Sequence, residues 1–225
     1  MRTTLLATVF LSGGALMSLE MASFRLVEPV FGSDISVWGS LISVFLGGLA
    51  VGAISGGWLA DRAPRLLKLG LILAIGGAVT IALRFYANAA MDFMYPGQGA
   101  PLPAEWGPPG QALQVYVPPD LKWPTLAASL LLFGPPTLLL GMVSPYAARL
   151  FVLGMPNMGA DVGRLYGVST IGSILGTLVT AFYLIALMGT KALLMANGYL
   201  LIGLGVVLAA IDLARQKAPQ QPGPM

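Results

Sequence analysis

The sequence predicts an all-α fold, a polytopic membrane bundle of about six transmembrane helices. Its 225 residues are 56% hydrophobic and only 9% charged, whereas a soluble domain carries roughly 25% charged residues to wet its surface. A mean hydropathy of +0.82 points the same way. The apolar residues fall into long runs, and roughly 20 helical residues cross a hydrocarbon core about 30 Å thick, a length strands do not reach. Lysine and arginine collect between alternate runs, as they do when basic loops are retained in the cytoplasm.

The spans are predicted at 4–28, 35–59, 66–88, 124–146, 165–188 and 190–213, within one membrane domain over 1–214. The first, Leu5 to Val27, is interrupted only by Glu20 and Arg25, and the second, Ile35 to Leu59, carries no charge. Arg2 followed by Leu5–Met17 would suit a cleaved leader. No small-residue cleavage site follows, and the apolar stretch runs on to Val30, so a retained helix is expected. With the N-terminus inside, the cytoplasmic side holds Arg2, Arg62, Arg65, Lys68, Arg149, Arg164, Arg215 and Lys217. The outer connections hold Lys122 and Lys191, with Arg25 and Arg84 at outer helix ends. Both termini are therefore expected in the cytoplasm.

Between spans three and four, residues 89–123 contain Pro96, Pro101, Pro103, Pro108, Pro109, Pro118 and Pro119 together with Trp106 and Trp123. This composition predicts an extended outer loop, either a simple cover or a docking surface. The tail 215–225 has three prolines and no apolar face, which predicts a disordered cytoplasmic end.

The chain has no cysteine and no histidine. Disulfides, thiolate or imidazole metal sites, and Cys/His or Ser/His catalytic pairs are excluded. No metal, cofactor or enzymatic activity is expected. A net charge of +3 without any basic run gives no nucleic-acid signal.

Within the spans, small residues mark where helices meet. Gly48, Gly52 and Gly56 recur at spacing four, as do Gly172 and Gly176 with Ser169 and Ser173. Lipid supplies no hydrophobic force between helices, so close backbone approach must provide the contact. These strips suit packing inside the bundle, a homodimer seam, or a sliding surface. Pro135, Pro136 and Pro145 predict a kink in span four, as a static bend or a hinge. Glu20 lies deep in span one, where a carboxylate is a functional candidate. Arg25 is five residues on and badly placed around the helix, so Arg84 is the expected partner of Glu20. The alternatives are a structural ion pair and a cation or proton site. Asp61, Arg62 and Arg65 occupy the loop between spans two and three. There Asp61 can cap the start of the next helix and draw in a neighbouring helix end, and the arginines can meet anionic headgroups.

Gly57-Trp58-Leu59-Ala60-Asp61-Arg62 followed by Arg65 resembles the loop signature of major facilitator (MFS) transporters, with Pro64 in place of the usual second glycine. Three further stretches resemble the bacterial fused MFS/spermidine synthase proteins. They are Ser12-Gly13-Gly14-Ala15-Leu16 through Glu20 and Arg25 to Phe31-Gly32-Ser33; Pro135-Pro136-Thr137 through Gly141 to Pro145; and Gly163-Arg164-Leu165-Tyr166 through Thr170 and Gly172 to Gly176. The chain departs from that pattern at Ser169, where the family has asparagine, and at Ala186, where it has proline. No strand–G-x-G–helix unit of the kind the family's synthase domain needs is present. The resemblance implies a half-MFS-like bundle in the bacterial inner membrane. The few polar groups in the spans and the large Pro/Trp outer loop predict an accessory or anchoring subunit, beside other membrane subunits or, as the resemblance implies, a separately encoded cytoplasmic synthase-like protein. The alternative is a transporter or half-transporter for polyamines or other small organic cations, with a homodimer as one arrangement.

Overall fold

The computed structural model describes residues 2–94, 122–152 and 158–217, and among them every regular element is helical. In order these are α1 (Arg2–Phe31), α2 (Ile35–Arg62), α3 (Leu66–Met94), α4 (Lys122–Gly141), α5 (Val143–Val152), α6 (Met158–Val179) and α7 (Ile185–Lys217), with a π-helical turn, Thr180–Leu184, joining the last two. Five stretches are long and apolar enough to cross a membrane: the first three helices, Lys122–Val152, and Met158–Gln216. The protein is thus a helical chain with the dimensions and composition of a multi-pass membrane protein.

The helices overrun the predicted spans. α3 continues to Met94, into the region expected to be loop, and α7 continues to Lys217. Residues 95–121 and 218–225, including the proline-rich loop with Trp106 and most of the expected tail, lie outside the described residues. Helix α6 starts at Met158, seven residues before the predicted 165, because Asp161 and Arg164 fit a helical end as readily as a loop.

The proline pair does not break the helix. Pro135 and Pro136 both lie within α4, and the Thr137 hydroxyl donates to the carbonyls of Phe133 (2.7 Å) and Gly134 (3.0 Å). The interruption falls at Met142, between α4 and α5. It is Pro145 that accounts for it: its ring crowds the carbonyl four residues back, at Gly141. A second interruption is Gly189, whose backbone (φ 72°, ψ 164°) is open only to glycine and divides the 59-residue apolar stretch into two helices.

At the first turn, Gly32 (φ 77°) ends α1 with its N–H on the Glu28 carbonyl at 2.8 Å. Asp34 then caps α2, its carboxylate accepting the Ser36 N–H at 2.8 Å. That bond holds Asp34 below the usual carboxylate range. Because the folded form has the lower pKa, the cap is present above the unfolded value near ~3.9 and is lost as pH falls through the folded one. We expect the first amides of α2 to lose hydrogen-exchange protection on acidification. Asp34→Asn, a neutral cap, should remove that pH dependence.

Three helix pairs form the bundle, and each closes on glycine. Gly13 and Gly14 of α1 lie against Ser169, Gly172 and Gly176 of α6. Gly48, Gly52 and Gly56 of α2 lie against Thr137, Leu138, Gly141 and Met142. Gly70 and Gly77 of α3 meet Gly205 and Gly198 of α7. The first two sets of contacts advance together along both helices, so those pairs are parallel; the third runs antiparallel. The small-residue strips are consumed inside the chain. A buried core of leucine, valine and phenylalanine, among them Leu19, Phe45, Leu73, Leu132 and Phe133, fills the space between the pairs.

Candidate functional site

One end of the bundle brings Arg2, Arg62, Arg65 and Arg149 together. Tyr146 of α5 is fully buried, and its phenol oxygen spans the α2–α3 connection. It accepts from the Arg65 N–H at 3.1 Å and lies 3.0 Å from the Ala63 carbonyl, to which its O–H can donate. Asp61 pairs with Arg149 at 3.0 Å. Among the described residues it therefore draws in a neighbouring helix end and does not cap α3. Arg62 stacks 3.3 Å over the Trp58 ring, and Arg2 reaches the Phe151 ring at 5.7 Å. A Cβ on Gly57 would meet nothing within 4 Å, so no close helix approach requires glycine there. This latch ties α2, α3 and α5 into one unit. The Asp61–Arg149 pair is well exposed, so a double-mutant cycle should return only about 0.5 kcal/mol of coupling.

The expected intramembrane pair does not form. Arg84 lies against the Met195 sulfur and Arg25 pairs with Glu28 at 3.4 Å. Glu20, half-buried, has no ion-pair or hydrogen-bond partner for its carboxylate among the described residues. Charge complementarity alone suggested Arg84, but which face a residue occupies depends on the helix's rotation, and α3 turns toward α7.

Of the cavities along α1, two are lined in part by hydroxyl groups. One, of about 200 Å³, is enclosed by α1, α2, α4, α5 and α6, and its polar lining is Ser12, Ser144, Tyr166, Ser169 and Ser173. Glu20 lies one helical turn beyond Leu16, which also lines it. Among the lining groups there is no charge. The other, of about 330 Å³, is bounded by α1, α6 and α7 and carries a buried polar knot. Ser18 Oγ accepts from the Thr180 hydroxyl at 2.8 Å and from the Asn197 amide at 2.9 Å. All three side chains are buried. Thr180 is the first residue of the π-turn, a distortion that often marks functional positions. None of the three was singled out from the sequence. Asn197 could have been, as a carboxamide inside an apolar run.

Among the described residues no group of His, Cys, Asp or Glu could hold a metal ion. The geometry offers hydroxyl and amide hydrogen bonding within an apolar bundle. No protein-family model, curated protein or solved structure matches this chain.

Proposed function

We propose that the chain is a non-catalytic membrane subunit, half-MFS-like, that acts as an accessory or anchoring element for a second protein. In this reading Met158–Gln216 crosses twice, turning at Gly189, which gives six spans with the basic end in the bacterial cytoplasm. The opposed senses of the α6 and α7 contacts support the double crossing. The clustering of Arg2, Arg62, Arg65 and Arg149 supports the orientation.

The observation that carries the role is the bareness of α6. Only Leu165 and Gly172 are buried along its 22 residues. Its exposed surface away from the cavity between α1, α6 and α7 mixes Ile171, Ile174 and Leu178 with the hydroxyls of Tyr166 and Thr170. A helix so little covered by its own bundle, and polar on part of its surface, suits a seat against another protein better than against lipid alone. The partner is then another membrane subunit or a separately encoded synthase-like protein, consistent with the resemblance to the fused MFS/spermidine synthases. Purification of the tagged chain in mild detergent should recover it with a stoichiometric partner. A partner-free, monodisperse particle would overturn the reading.

One observation favours the alternative, a half-transporter for small organic cations working as a homodimer. Glu20 has no basic partner among the described residues and lies in line with the hydroxyl-lined cavity, as a cation site would require. Flux of labelled putrescine in proteoliposomes, lost in Glu20→Gln, would establish it. No flux from either protein ends it.

A further inference from the structure

We propose that the cavity between α1, α6 and α7 is a lateral binding site for a neutral, ring-bearing carbonyl compound dissolved in the bilayer, a quinone by chemical class. The cavity, about 330 Å³, has the Ser18–Thr180–Asn197 knot in its lining; the rest of its wall is glycine and apolar side chains, including Phe10, Leu175 and Leu200. No charged residue lines it, so an ionic ligand would lose its hydration without compensation. The knot has capacity to spare. Ser18 Oγ already accepts two hydrogen bonds, but Asn197 spends only one amide hydrogen on it. The second N–H is a donor for a ligand carbonyl.

Depth narrows the class. Ser18 lies roughly 24 Å along α1 from one end and roughly 20 Å from the other, near the middle of the membrane. Ester carbonyls of phospholipids stay at the interface, roughly 15 Å from the midplane of a 30 Å core. A carbonyl that reaches Asn197 must therefore belong to a molecule that dissolves in the core itself. Phe10 offers a ring face for stacking. Leu175 and Leu200 are exposed at the rim, so the opening faces hydrocarbon and an alkyl tail can trail into it. The π-turn supports the same placement. It brings Thr180 off the regular helical path and onto Ser18, fixing the knot at the cavity wall.

The test uses the full chain in lipid nanodiscs, with Leu175→Trp as a rim reporter and decylubiquinone as the probe. Quenching of the added tryptophan should saturate, and dodecylbenzene, which has ring and tail but no carbonyl, should compete poorly. Asn197→Leu in the reporter background should weaken binding about tenfold, the scale of losing one buried hydrogen bond. Leu200→Phe narrows the mouth at an exposed position and should weaken it too, without depending on how Asn197→Leu folds. Quenching that never saturates, equal competition by dodecylbenzene, or unchanged affinity in both variants would overturn the assignment.

Discussion

Gly172→Leu should prevent the bundle from assembling, with a loss of about 3 kcal/mol or more and little monodisperse protein in detergent. A Cβ at this position would run into the carbonyl oxygen of Phe10, and one at Gly176 into that of Gly14. Both obstacles are backbone, so no side chain can swing aside to make room. The only relief is to pull α6 away from α1 along its length. That separation forfeits the dispersion contacts that hold two helices together where burial from water contributes nothing. It would also part Ser18 from Thr180. Gly47→Leu is the control. This glycine is on α2, one residue from the packed Gly48, yet a Cβ there meets nothing within 4 Å. Its stability should stay within about 0.5 kcal/mol of wild type. Thermal melts of the three proteins in one detergent, read by size exclusion, make the comparison. Equal behaviour of Gly172→Leu and Gly47→Leu would contradict the close crossing.

Tyr146→Phe should cost about 1–3 kcal/mol although it removes a single oxygen. The phenol oxygen serves backbone groups on both sides of the α2–α3 connection, the Ala63 carbonyl and the Arg65 N–H. Without it, these groups are left beside a buried ring that offers them nothing. The exposed Asp61–Arg149 pair cannot compensate, being worth a fraction of that. The loss should appear in chemical denaturation and as faster amide exchange confined to the start of α3. A uniform change over the bundle, or none, would contradict the latch.

Much of the architecture could be read from the chain. Long apolar runs set the helices because an unpaired peptide group in hydrocarbon is so costly that nothing else would be stable there. The glycine strips were visible, but not their partners: spacing shows that a face is flat without showing what lies on it. The Gly70–Gly77 and Gly198–Gly205 contacts escaped notice because their seven-residue spacing is less conspicuous than four. Proline marked the right span without marking the place. Pro135 and Pro136 advertise a kink, yet the interruption belongs to Pro145, whose ring acts one turn upstream of itself. The polar knot was hidden because serine and threonine in apolar helices commonly bond their own backbone, as Thr80 and Thr170 do. Only rotational phase, which charge and hydropathy do not encode, sets Ser18 and Thr180 face to face.

The pairing scheme has a consequence for biosynthesis. Among the described helices the glycines of α1 meet α6 alone, so their flat strip stays uncovered while more than half of the polypeptide is still unmade. At about 5–20 residues per second, roughly 10–30 s separate the emergence of the two. During that interval the nascent strip must rest on lipid or on the insertion machinery. Mutations that slow synthesis after α2 should therefore raise degradation of the newborn chain without altering the stability of the finished one.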